Sequence, residues 1–189
     1  MAAHKILITG TGRSGTTFLI SLLTYLGINT GYSKDSYKNY INANVNAGME
    51  KPPHPSYVIK DPNFCTMMPD MTKRYQIDHV FVLVRNMDDA ANSRISIGRG
   101  LGGLWDTLDP NKQKSVLLEK FGTLISDLVL HNIPYTCMIF PRLALDPEYC
   151  YKCLKPLFDK ITTPISYAVF LEAFKANSDP RLIHEYKSK

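Results

Sequence analysis

Gly10-Thr11-Gly12-Arg13-Ser14-Gly15-Thr16-Thr17 follows the apolar run Ile6-Leu7-Ile8 and precedes the amphipathic stretch Phe18 to Leu26. A strand, a glycine-rich turn and a helix in that order form a cradle for an anion. Glycines let the backbone approach the bound group, and the helix N-terminus offers unpaired N–H donors and the positive end of its dipole. Phe18, Leu19, Leu22, Leu23 and Leu26 recur at helical spacing, so the helix covers one face of a sheet. Gly27 ends it.

The cradle has the frame of a P-loop with one displacement. A nucleotide-hydrolysing P-loop carries Lys where this chain has Thr16, and its next hydroxyl holds magnesium. Here the cation is Arg13, three residues earlier. Arg13, Ser14, Gly15, Thr16 and Thr17 bring one guanidinium, hydroxyls and backbone amides, which suit a phosphate better than a metal-bridged triphosphate. No metal is therefore expected.

Working outward, Lys5 to Thr9 reads as a buried parallel strand. Tyr57 to Lys60 is a short second strand ended by Asp61-Pro62, and His79 to Val84 is the clearest strand, ended by Arg85. Tyr135 to Phe140 is the fourth. Between them, a short helix is expected within Phe64 to Tyr75, interrupted by Pro69. Asp88 and Asp89 fall in the first turn of a helix to about Ile97. Asp109-Pro110 opens a helix to about His131, with Val116, Leu117, Phe121, Leu124, Ile125, Leu128 and Val129 on its apolar side. One helix is expected from Asp146-Pro147 to Asp159, and a last one from Ile165 to Lys175 before a polar tail.

Strands alternating with helices predict an α/β three-layer sandwich with a central parallel sheet, in a single domain spanning residues 1–189. Ligands of such sheets sit at the carboxyl ends of the strands, where Lys60 and Arg85 lie beside the cradle. Residues 28–57 break the pattern. They are rich in Asn, Tyr, Ser, Gly and Pro, and Pro52-Pro53-His54-Pro55 forbids regular structure there. This irregular insert is expected to be functional.

Composition excludes several classes. The 189 residues are 44% hydrophobic and 21% charged, ordinary for a globular protein. The net charge of +5, from 22 Lys+Arg against 17 Asp+Glu, suits an anionic ligand, but no basic run is dense enough for a nucleic-acid arm. Residues 1–10 read as the first strand rather than a signal peptide, and no apolar run approaches the roughly 20 residues of a membrane span. A cytoplasmic chain with no membrane partner is expected. Cys65, Cys137, Cys150 and Cys153 then read as reduced thiols, and the lone Cys150-x-x-Cys153 as two thiols on one helix face. His4, His79, His131 and His184 belong to no constellation.

The motifs carry a resemblance. Arg13-Ser14-Gly15-Thr16-Thr17 resembles the 5′-phosphosulfate loop of sulfotransferases that use 3′-phosphoadenosine 5′-phosphosulfate (PAPS). Val82-Leu83-Val84-Arg85, with Ser93 eight residues on, resembles the 3′-phosphate motif of that family. Ile59-Lys60-Asp61-Pro62-Asn63-Phe64 is similar to the Lys-Asp-Pro segment of protein-tyrosine sulfotransferases and their bacterial relatives.

The resemblance implies a P-loop-like sulfotransferase fold and PAPS as cofactor. It implies that Gly12, Arg13, Ser14, Gly15, Thr16 and Thr17 hold the 5′ end, and that Arg85 and Ser93 hold the 3′-phosphate. Lys60 would stabilise charge on the bridging and leaving oxygens. The acceptor, a small molecule, carbohydrate or peptide bearing a hydroxyl or amine, needs a base. Tyrosine-sulfating relatives place a Glu shortly after the first helix, and Asp35 stands near that spacing, with Glu50 and His54 as alternatives. Residues 32–57 and Gly98 to Trp105 are expected to form the acceptor site. The competing readings are a small P-loop kinase, which Thr16 in place of Lys argues against, and a sulfotransferase-like nucleotide-binding module without catalysis.

Overall fold

The computed structural model describes residues 2–42, 44–45, 47–98 and 104–183. In chain order the elements are β1 (Ala3–Gly10), α1 (Thr16–Tyr25), β2 (Ile41–Asn42), β3 (Ala47–Gly48), β4 (Val58–Lys60), α2 (Met68–Arg74), β5 (Tyr75–Val84), α3 (Met87–Ile97), α4 (Pro110–Leu130), β6 (Tyr135–Ile139), α5 (Arg142–Leu145), α6 (Pro147–Cys153), α7 (Lys155–Phe158) and α8 (Tyr167–Asn177).

The main sheet has the order β4-β1-β5-β6, and all its pairings are parallel. Ile6 pairs with Val58 on one side of β1 and with His79 on the other. Alternation along each strand feeds two cores. Ile6, Ile8, Phe81 and Leu83 face α1, α6 and α8, whereas Leu7, Val80 and Val82 face α2, α3 and α4. The sheet is thus covered on both faces, which is why its strands read as nearly continuous apolar runs. Leu19, Leu22 and Leu23 of α1 have no exposed surface, and each such side chain contributes roughly 1.5–3 kcal/mol of burial.

Several sequence expectations are corrected. Pro69 sits in the first turn of α2, where its missing N–H is no loss, so it opens that helix instead of interrupting it. β5 begins at Tyr75, four residues before His79. The helix expected over 146–159 is two, α6 and α7, because Pro156 cannot donate to an unbroken ladder and instead lies in the first turn of α7. Val129 is 61% exposed, and the buried side of α4 carries Gln113, Leu117, Leu124 and Leu128.

The insert over 28–57 is more ordered than its composition implies. The Asn29 carbonyl accepts from the amides of Tyr57 (3.0 Å) and Val58 (2.9 Å), which closes its base. Inside lie a 3-10 turn at Tyr37–Tyr40 and the antiparallel β2–β3 hairpin. The four cysteines are free, with Cys150 buried and Cys153 half-buried. No helix among the described residues is long and apolar enough to cross a membrane.

Candidate active site

The carboxyl ends of β1, β4 and β5 meet at a cleft of about 770 Å³. At its floor, β1 and β5 come so close that a Cβ on Gly10 would lie 2.1 Å from the Leu83 carbonyl oxygen. Beyond Gly10 the chain turns through left-handed conformations at Gly12 (φ 71°), Arg13 (φ 54°) and Gly15 (φ 88°). α1 then starts at Thr16 with no side chain capping it. Its first amides therefore remain donors for an anion, reinforced by the helix dipole. Two buried hydroxyl oxygens in this loop, Thr11 Oγ1 and Ser14 Oγ, meet no hydrogen-bond partner.

Lys60 is the cation on the β4 side and is only 2% exposed. Its Nζ donates to the Gly48 carbonyl (2.8 Å), to Thr17 Oγ1 (3.4 Å) and to the Glu50 carboxylate. Burial pushes the Lys60 ammonium below its usual value, against the pull of Glu50. Asp61 acts on Lys60 only through its charge and makes no direct bond to it. That carboxylate accepts from the Asn63 amide at 2.8 Å and caps the turn after β4.

Arg13, Arg85 and Ser93 form the other side. Arg13 Nε donates to Ser93 Oγ at 3.3 Å, and Arg13 Nη1 donates to the Val45 carbonyl. The left-handed turn at Arg13 presents its own carbonyl to Arg85, whose Nη1 donates to it at 3.2 Å. The Arg85 guanidinium lies over the Phe140 ring, 5.2 Å from its centroid. Arg13, more than 70 residues earlier in the chain, is thereby brought between Arg85 and Ser93.

The three candidate bases are separated. Asp35 is exposed and lies outside the cleft lining, while the neighbouring Lys34 covers the Tyr25 ring. His54 is exposed and lines a different, open depression. Glu50 lines both that depression and the cleft, and it alone of the three holds Lys60. Of the expected acceptor loop, residues 99–103 lie outside the described residues, as does His184.

Sequence reasoning missed three contributors. Arg94, next to Ser93, lines the cleft and is only 5% exposed. The expected polar tail contributes a wall: Asn177, Asp179, Leu182 and Ile183 line the cleft. Asn177 is tied in through Tyr37, whose hydroxyl donates to its side-chain oxygen at 2.8 Å. The β2–β3 hairpin supplies Val45 and Gly48, whose carbonyls bind Arg13 and Lys60.

The cradle fits a phosphate or sulfate group. Guanidinium, ammonium, hydroxyl and amide groups all donate, and the oxygens of such groups all accept. Among the described residues no cluster of three or more His, Cys, Asp or Glu could hold a metal ion.

No protein-family profile matches the chain, and no curated protein matches it in sequence. Solved structures do resemble it. One is described as "Sulfotransferase Domain from the Curacin Biosynthetic Pathway", with a TM-score of 0.54 at 15% identity, covering 90% of this chain and 77% of that one. The chain has a sulfotransferase-like fold.

Proposed function

We propose that the chain is a sulfotransferase that moves a sulfuryl group from PAPS to a hydroxyl or amine acceptor. One observation carries the reading. A single cleft is lined by a buried lysine at the end of β4, the glycine cradle with Arg13, and Arg85 at the end of β5, and Arg13 ties buried Ser93 of α3 to its edge. Cationic groups on both sides of the cradle suit a ligand with two anionic ends and a reacting centre beside one of them.

The donor supplies an activated sulfuryl group, whose transfer forms a bond from the acceptor to sulfur, breaks the bridging S–O bond and releases 3′,5′-adenosine bisphosphate. In this reading the amides of Gly12 to Thr17 and the Arg13 side chain hold the 5′ end, and Arg85 with Ser93 holds the 3′-phosphate. The Lys60 ammonium donates to the oxygens that gain charge. Glu50, in place of Asp35, takes the acceptor proton, because it alone of the three candidates reaches Lys60. The acceptor, a small molecule, carbohydrate or peptide, enters past the β2–β3 hairpin.

Calorimetry with 3′,5′-adenosine bisphosphate and with ATP tests the reading. Preference for the bisphosphate, together with PAPS-dependent sulfation of at least one member of a panel of phenols, sugars and peptides, supports it. Preference for ATP with magnesium-dependent turnover would replace it with the kinase reading.

A further inference from the structure

Arg94 has the features of a ligand residue, although nothing in the Arg85–Ser93 motif requires it. It stands four residues after Ala90, which is itself fully buried, so it points to the packed side of α3. Only 5% of Arg94 is exposed, and it lines the cleft. Its Nε is sealed from solvent and meets no hydrogen-bond partner. Among the described residues no carboxylate offsets it, and burial alone lowers its pKa. An uncompensated buried guanidinium weakens the folded state, so its presence calls for an anion that the described residues do not supply.

The sheet order says which anion. Lys60 ends β4, on one side of β1, whereas Arg85 and α3 come after β5, on the other. Arg94 therefore belongs to the end of the cleft away from Lys60, beside Ser93. A phosphomonoester at that end carries close to two negative charges at neutral pH. Arg85 brings one positive charge and Ser93 none, while Arg13, whose Nε donates to Ser93 Oγ, is assigned to the 5′ end.

We infer that Arg94 is a second arginine for the donor's 3′-phosphate, and that it sets the preference of the cleft for nucleotides bearing that group. The inference rests on the reading of the cleft as a PAPS site. It assigns a binding role to the residue immediately after the serine of the motif. Arg85 and Arg94 together match the dianion, and Ser93 adds a neutral donor.

The test compares 3′,5′-adenosine bisphosphate with 5′-AMP, by calorimetry, on the unmodified protein, Arg94→Gln and Arg94→Met. Thermal unfolding of each without nucleotide accompanies it. Both substitutions should weaken the bisphosphate roughly 10- to 100-fold, the range of a charge-assisted hydrogen-bond pair, and 5′-AMP less than about threefold. The unfolding midpoint of Arg94→Met should hold or rise, because an unpaired buried charge has been removed. Equal losses for both nucleotides with a lowered midpoint would make Arg94 structural and overturn the inference. Unchanged bisphosphate affinity in both variants would overturn it and leave the PAPS reading standing. If the unmodified protein binds no bisphosphate, the PAPS reading fails and Arg94 loses this role with it.

Discussion

Lys60 and Glu50 form an ion pair in which only one partner is sealed: the side-chain exposures are 1% for Lys60 and 33% for Glu50. The pair is therefore asymmetric under substitution. Glu50→Gln leaves an ammonium buried without its counter-charge, whereas Lys60→Met leaves a carboxylate that water reaches. Glu50→Gln should cost about 2–4 kcal/mol in urea unfolding, and Lys60→Met about 1 kcal/mol or less. The opposite order would contradict the geometry. If the proposed sulfuryl transfer holds, Glu50→Gln should slow it by roughly 10²–10⁴, the usual contribution of a general base, while Asp35→Asn keeps its rate.

Gly10 and Gly15 resist a side chain for different reasons and to different degrees. A Cβ on Gly10 meets backbone at 2.1 Å, so Gly10→Ala must part β1 from β5. A cost of about 3 kcal/mol or more is expected. Gly15 combines φ 88° with a Cβ position 2.8 Å from a Phe140 ring carbon, a side chain that can shift. Gly15→Ala should fold, with a loss of roughly 1–2 kcal/mol from the strained backbone and a weakened nucleotide site. Chemical denaturation of the two variants distinguishes the cases.

Gln113 is fully buried in α4, and its side chain clamps the segment from Leu104 to Thr107. Its Oε1 accepts from the amides of Asp106 (2.9 Å) and Thr107 (3.2 Å), and its Nε2 donates to the Leu104 carbonyl (2.8 Å). Leu104 in turn packs against Gly12 of the cradle. Gln113→Ala should cost about 1–3 kcal/mol, since the buried Leu104 carbonyl and two partly buried amides lose partners. Hydrogen exchange at Asp106 and Thr107 should accelerate in the variant, and unchanged protection there would refute the clamp.

His79 gives the fold a response to acid. Burial, with a smaller push from Lys160, lowers its pKa to about 4 from an ordinary 6.5, and its Nε2 lies 2.9 Å from Thr136 Oγ1. Below pH 6.5 the unfolded chain takes up a proton that the folded one refuses, so stability falls as pH drops from 6.5 toward 4. The share lost by pH 5 is about 2 kcal/mol. His79→Gln keeps a hydrogen-bonding side chain without the titration. Denaturation at pH 7.5 and pH 5 should show a smaller difference in that variant than in the unmodified protein.

The strands and the cradle are legible in the sequence because each depends on neighbours along the chain. A run such as Ile6-Leu7-Ile8 with Gly10 and Gly12 after it fixes strand, turn and helix locally, and the parallel sheet fixes where Lys60 and Arg85 emerge. Glu50 ranks behind Asp35 on sequence alone, since its position comes from a contact with Lys60 across a segment without periodicity. Arg94 and Gln113 do leave a signal. Each falls four residues from a buried position, Ala90 and Leu117, so helical spacing alone puts both on inward faces. A charged or polar residue there reads as solvated surface until its burial is known. The break at Leu154 is equally readable from Pro156.

The cleft is walled partly by the segment beyond α8, and α8 itself leans on the cradle helix. Phe18 of α1 packs edge-on against Phe174 of α8 at 5.6 Å, and Tyr37 reaches Asn177 across 140 residues of sequence. On the proposed reading, a nucleotide seated in the cleft would brace α8 from below. Occupancy would then be visible to a protease: cleavage near Asn177 to Ile183 should slow as bisphosphate is added, in proportion to the fraction bound.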